Sequence, residues 1–346
     1  MKIGIWNPAF LGDAILTLPL IHTLARGYPD AELHFYVRGG FEPLFAAQPE
    51  LTEVRGFAKR GKQKGLLSAY ALGRKLSHQG FDLWISAHTS LRSGLIARWT
   101  SIPQRIGYDR PRFNPFFYTH TVDRAFDRFD EIERLLRLAE PLGLTPVHEP
   151  TLVLSNKVLA NAAAYFDGLS NASPVLGIHP GSTWPTKQWP EEYFSRIIDM
   201  AVQAGARVLV FGGPGEEDVA ARVIAGAETP YKFERVADLS GQLSLPELAA
   251  WLKRLDCYLT GDSGPMHLAW VQGIPVTAIF GPTVRDLGFF PRGAGSTVIE
   301  TDLDCRPCSL HGPKQCPQGH HRCMRDLSPE HVFADVAAKL DVTHGR

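Results

Sequence analysis

Short apolar runs alternate with amphipathic stretches along the whole chain. In the first half, Lys2 to Trp6 predicts a strand, Asn7 to Gly12 a loop, and Asp13 to Arg26 an apolar-rich helix. Pro19 lies inside that helix and should kink or break it, since proline removes an N–H and crowds the preceding turn. Leu33 to Val37, Leu83 to Ser86 and Arg105 to Gly107 read as strands; Leu66 to His78 and Leu91 to Trp99 read as helices. Asp130 to Leu142 carries an amphipathic helical pattern closed by Gly143. Leu144 to Ser173 mixes a turn-rich linker, a short extended run and a polar helix, and a second series follows. Val175 to His179, Arg207 to Phe211, Asp256 to Leu259 and Pro275 to Phe280 predict strands. Pro190 to Ala204 and Leu245 to Arg254 predict helices, the latter opened by a Ser244–Glu247 capping box. A last helix spans Pro329 to Leu340. Alternation of this kind predicts an α/β protein of two Rossmann-like, doubly wound domains facing a central cleft. Residues 1–150 form the first and 151–328 the second, with residues 329–346 packing back on the first.

With 346 residues the chain has room for two domains, and 44% hydrophobic against 21% charged residues is a globular balance, not a disordered one. Its 36 basic and 36 acidic side chains cancel, so no global field marks a nucleic-acid binder. A local basic run, Lys59, Arg60, Lys62 and Lys64, reads as a solvated loop or as contact with an anionic surface. No apolar run approaches the roughly 20 residues that cross a bilayer. The start, MKIGIWNPAFLGD, lacks the parts of a signal peptide, so a cytoplasmic protein is expected.

Candidate chemistry gathers where strands end. In LDCYLTGDSGPMHLAWVQGIPVTAIFGPT, a strand runs into a polar turn and then a helix with Pro265 in its first turn. Free amides from Ser263 to Met266 suit a diphosphate, and Asp262, which would repel phosphate, suits sugar or ribose hydroxyls. Gly264 shares this turn, and His267 is either a core histidine or a donor to a phosphate or sugar oxygen. The loop His179-Pro180-Gly181-Ser182-Thr183-Trp184-Pro185-Thr186-Lys187-Gln188-Trp189 offers amides, hydroxyls and the Lys187 charge at the end of another strand. Gly212 lies at the end of a third. Asp13 is either a helix cap or a carboxylate able to take a proton from an attacking hydroxyl. Gly212-Gly213-Pro214-Gly215 lacks the dinucleotide-binding spacing, and neither a P-loop nor a serine nucleophile elbow occurs.

These segments together resemble glycosyltransferase family 9, the ADP-heptose:lipopolysaccharide heptosyltransferases. The resemblance covers almost the whole chain, through GDAILTLPLIHTLARGYPDAELHF, SLRSGLIARWTSIPQRIGY, GIHPGSTWPTKQWPEEYF and the stretch ending in GIPVTAIFGPT. It implies a GT-B fold, an acceptor domain first and a sugar-nucleotide domain second. The implied activity is inverting transfer of a heptose or related sugar from an ADP-sugar to a lipopolysaccharide core or lipid A precursor acceptor. No catalytic metal or other cofactor is implied, and peripheral contact with the inner face of the cytoplasmic membrane is expected. Residue by residue, Asp13 matches the family's proposed general base and Lys187, beside Thr186, its phosphate-contacting lysine. Asp262, Ser263, Gly264 and His267 match its D-[ST]-G-x-x-H donor motif. The loop Asn7-Pro8-Ala9-Phe10-Leu11 departs from the serine or threonine many members carry, so no hydroxyl contact carries over there. Alternatives are a sugar-nucleotide epimerase of the same fold and a non-catalytic binding protein.

Cys257 reads as a buried small hydrophobe. Cys305, Cys308, Cys316 and Cys323, with His311, His320 and His321 among them, have a spacing compatible with a structural zinc site. Similar segments occur in family members of the heptosyltransferase II type, where the resemblance implies no metal; a structural clip near the cleft is expected.

Overall fold

The computed structural model describes residues 1–58, 65–167 and 173–342, and the chain divides into two units, Met1–Leu154 and Ser155–Arg346. The first holds six strands: β1 (Lys2–Asn7), β2 (Glu32–Arg38), β3 (Glu53–Phe57), β4 (Leu83–Ser86), β5 (Gln104–Tyr108) and β6 (His120–Val122). All pair in parallel, in the order β3-β2-β1-β4-β5-β6. The chain therefore starts at the centre, winds to one edge and returns to wind to the other, which leaves a switch point between β1 and β4. Ile3, Ile5, Trp6, Leu83, Trp84 and Ile85 have no exposed surface, as expected of parallel strands covered on both faces. Gly4 stands in register with Trp84, and a Cβ there would collide with the indole.

The second unit repeats this plan with β7 (Val175–His179), β8 (Arg207–Val210), β9 (Val236–Asp238), β10 (Cys257–Gly261), β11 (Val276–Phe280) and β12 (Thr297–Glu300). Its order is β12-β11-β10-β7-β8-β9, again all parallel, with the switch point between β7 and β10. Gly177 of β7 is in register with Tyr258 of β10, and a Cβ on it would strike that ring and Leu255. Cys257 is fully buried in this core.

Local chemistry explains where the elements depart from the sequence pattern. The helix expected over Asp13–Arg26 is two, Leu11–Leu16 and Leu18–Gly27, with Pro19 in the first turn of the second, where its missing N–H is harmless. The helix expected over Asp130–Leu142 is α-helical only for Glu131–Leu136 and tightens to a 3-10 helix, Arg137–Leu142, that contains Pro141. Gly143 closes it at φ 66°. The first unit runs past Pro150 because Thr151 N–H donates to His22 Nε2 at 3.1 Å and Val153 N–H to Gln48 Oε1 at 3.0 Å. The last helix, Pro329–Val342, was expected on the first domain but is built into the second unit. It packs on the helix Glu191–Gln203 and on β10 and β11, burying Val332, Val336 and Leu340. The basic run Lys59, Arg60, Lys62 and Lys64 lies outside the described residues. Among the described residues no helix is long and apolar enough to cross a membrane.

Candidate active site

In the first unit, Asp13 sits in the first turn of Leu11–Leu16, directly after β1. Its Oδ2 accepts the Phe10 backbone N–H at 3.1 Å, so the carboxylate does act as a helix cap. The backbone beneath it is pinned by buried Asn7, whose amide donates to Thr17 Oγ1 at 2.9 Å and to Asp13 O at 3.2 Å. The helix Glu131–Leu136 packs against this turn. Glu131 is almost wholly buried and takes both oxygens to Arg124 at 2.7 Å, with Arg134 at 3.2 Å on the other side. Burial and then the Glu131 charge push the Asp13 carboxyl up to about 7, against the pull of the Phe10 N–H and of Arg124. Beyond Arg124 opens a cavity of about 630 Å³ at the ends of β5 and β6, lined by Thr89, Arg110, Asp123, Arg124, Phe126 and Arg128, among others.

In the second unit, parallel pairing of β7 and β10 sets His179 opposite Thr260 and so brings the loops after these strands together. Buried Lys187 donates to Asp262 Oδ2 at 2.5 Å, and the Thr283 hydroxyl donates to the same oxygen at 2.8 Å. Lys187 and Asp262, assigned separately to phosphate and to sugar or ribose, are thus direct partners in this molecule. The Ser263 hydroxyl lies 3.2 Å from that of Thr260 at the start of the helix Gly264–Trp270. His267 is buried, and the Trp270 indole N–H donates to its Nδ1 at 3.1 Å. An indole only donates, so Nδ1 is the acceptor and Nε2 carries the proton. Burial lowers the imidazole to about 4, with Asp262 opposing and Lys187 assisting, so His267 is a neutral donor at physiological pH.

Two neighbours of this site carry no sequence motif of their own. Glu216 accepts from Gly213 N–H at 2.7 Å and meets His179 Nε2 at 2.9 Å, while Tyr258 Oη lies 3.1 Å from His179 Nδ1. Burial opposes ionisation of Glu216, but His179 and the Gly213 amide hold it below the usual carboxylate range. Gly212, at the end of β8, accepts the Gly241 N–H at 2.9 Å. The tryptophans of the Lys187 loop pack: Trp189 is buried and donates to Leu327 O at 3.0 Å, and Trp184 stacks on His311 at 6.2 Å between centroids.

The cysteines are all free thiols. Cys308 Sγ faces Cys305 O at 3.4 Å, Cys316 Sγ accepts the His321 N–H at 3.4 Å, and Cys323 is buried in the core of the second unit. Among the described residues no group of three or more His, Cys, Asp or Glu side chains is gathered to hold a metal ion.

Two doubly wound parallel sheets, each with its polar side chains at the carboxyl ends flanking its switch point, are the architecture of a GT-B glycosyltransferase. The chain belongs to glycosyltransferase family 9 (heptosyltransferase), whose model matches residues 69–316. Lipooligosaccharide heptosyltransferase 2 of Campylobacter jejuni is 26% identical over 99% of this chain and 100% of that protein. The solved family 9 glycosyltransferase of Veillonella parvula superposes with a TM-score of 0.85 at 23% identity, covering 98% of this chain and 97% of that one. The E. coli ADP-heptose LPS heptosyltransferase II gives 0.81 at 22% identity, covering 99% and 100%.

Proposed function

We propose that this glycosyltransferase moves a heptose, or a closely related sugar, from ADP-heptose to a lipopolysaccharide core acceptor with inversion at the anomeric carbon. The observation that carries the reading is the Asp13 carboxyl, tuned to about 7 by burial and by Glu131. A base is most effective when its pKa lies near the operating pH. Family membership, and relatives named as heptosyltransferases acting on lipooligosaccharide or lipopolysaccharide, support the substrate class and favour transfer over epimerisation or simple binding.

Asp13 takes the proton of an acceptor hydroxyl as its oxygen bonds to the anomeric carbon. The bond from that carbon to the diphosphate breaks on the opposite face, and ADP leaves with the electron pair. Lys187 supplies a full positive charge where negative charge grows on the diphosphate, assisted by the Thr186 and Ser263 hydroxyls. Asp262, when ligand arrives, holds Lys187 in place and offers its second oxygen to a sugar or ribose hydroxyl. His267 donates from Nε2 as a neutral group, and Gly212 and Gly264 leave room for the nucleotide and sugar. The cavity of the first unit, which presents Arg110, Arg124 and Arg128 beside Asp123 and Asp127, is the surface we assign to the polar groups of the acceptor. Such an acceptor would place the enzyme at the inner face of the cytoplasmic membrane.

Thermal-shift titration with ADP-, UDP-, GDP- and CMP-sugars tests the donor assignment. Stabilisation by ADP-heptose is expected, and a response to UDP- or GDP-sugars with none to ADP-heptose would overturn it.

A further inference from the structure

The cysteine-rich segment contacts the two loops that carry the Lys187–Asp262 pair's surroundings: the loop after β11, whose Thr283 donates to Asp262, and the loop that holds Lys187. At one end, the Arg306 guanidinium is 4% exposed and donates to the carbonyls of Phe280 at 3.1 Å, Thr283 at 2.7 Å, Gly281 and Thr301, while pairing with Glu300 at 2.7 Å. Cys308 N–H donates to Pro282 O at 2.8 Å. The loop after β11 is thereby held along its length, and its Thr283 hydroxyl is the one that donates to Asp262. At the other end, His321 Nε2 lies 2.8 Å from Thr186 O; a carbonyl only accepts, so the ring donates. Thr186 Oγ1 returns a hydrogen bond to Pro313 O, and His311 stacks on Trp184. Between the ends, Gly312 has φ 78°, and a Cβ there would lie 2.9 Å from Pro282, 3.2 Å from Thr186 Oγ1 and 3.6 Å from Lys187 Cε. Only a residue without a side chain lets the segment lie this close.

We propose that the segment from Cys305 to Cys323 is a brace that fixes the Lys187 ammonium for the donor diphosphate, with His321 and Arg306 as its positioning residues. The proposal rests on the reading of Lys187 as the diphosphate contact. An ordinary surface loop with this many contacts would contribute to stability alone. A brace contributes to donor affinity, and does so through Lys187. Cys323 anchors the segment in the core of the second unit.

The test is a double-mutant cycle read by calorimetric titration of the full chain with ADP, below the melting temperature of every variant. His321 sits at φ 50°, a conformation asparagine accepts, so His321→Asn keeps the backbone but cannot reach Thr186 O. The expected result is that H321N weakens ADP binding about five-fold, the scale of one hydrogen bond. H321Q, with an amide long enough to donate, recovers part of the loss, and H321G, which accepts this φ and carries no donor, serves in place of H321N should that variant fail to fold. In the K187A background, H321N has no further effect. Wild-type affinity in H321N, or losses from H321N and K187A that multiply, would overturn the brace. A wild-type protein that does not bind ADP would overturn the donor site itself, and the wild-type curve separates the two failures.

Discussion

The two units solve one structural problem identically and then use the result differently. Each winds six parallel strands in the same order, and each places a glycine in its first strand under an aromatic ring from its fourth, Gly4 under Trp84 and Gly177 under Tyr258. Each also sets an aspartate at a strand–helix turn beside the switch point. Asp13 is withdrawn from water, accepts the Phe10 N–H and has a like-charged neighbour in Glu131; burial first and that charge second push its carboxyl up to about 7. Asp262 receives an ammonium at 2.5 Å and a hydroxyl at 2.8 Å on a single oxygen. The fold provides the turn; burial together with the charges brought to it sets the two carboxylates apart.

The contrast can be broken at several points. Replacing Asp13 by Asn should cost the largest factor in transfer, on the order of 10²–10⁴ in kcat, the usual contribution of a general base. ADP affinity by titration should stay near wild type. The same variant carries a stability signature. Folding raises the pKa from 3.8 to about 7, so the folded protein keeps a proton the unfolded chain has released. The stability this confers is full below 3.8 and lost as pH rises toward 7. D13N, neutral throughout, should therefore melt higher than wild type at pH 8 and close to it at pH 4. Next in size, K187A should lower kcat/KM by about 10²–10³, as removal of a charge-stabilising donor does elsewhere. Unlike D13N it should also weaken ADP. A smaller and more specific effect is expected of E131Q. Removing the charge that raises Asp13 should move the rising limb of the pH–rate profile to lower pH, while circular dichroism shows the fold retained. Smallest for activity, G4A and G177A should each destabilise by about 1–3 kcal/mol through overpacking. Equal losses in chemical denaturation would confirm that the two glycines do the same work.

The central strands were legible because they are buried on both faces: β4 and β7 coincide with their apolar runs, and the helix Leu91–Trp99 with its pattern. The strands β3, β6, β9 and β12, at the sheet edges, are not predicted by the pattern. They are short, partly exposed and rich in polar residues, so neither an apolar run nor a clean alternation marks them. Asp13, Lys187 and Asp262 stand out because each lies in a local motif at a strand end. Glu131, Thr283 and Arg306 do not, and His321 stands out only as a possible member of the cysteine cluster, because the link of each to the site runs through residues remote in sequence; His321 and Thr186 are 135 residues apart. One trace was available for Glu131: a carboxylate opening an apolar helix among arginines at 124, 128, 134 and 137 is a charge that needs a partner. For Asp262 the residue was legible and its partner was not.

The proposed role of Asp13 as general base is tested most directly by the pH dependence of kcat/KM for ADP-heptose with a core acceptor. The predicted profile rises tenfold per pH unit on its acid side and levels off through an apparent pKa of about 7. In E131Q that limb moves to lower pH. A wild-type profile already level through this region, or one whose limb is unmoved in E131Q, would contradict the assignment of Asp13 as a base tuned by its buried neighbour.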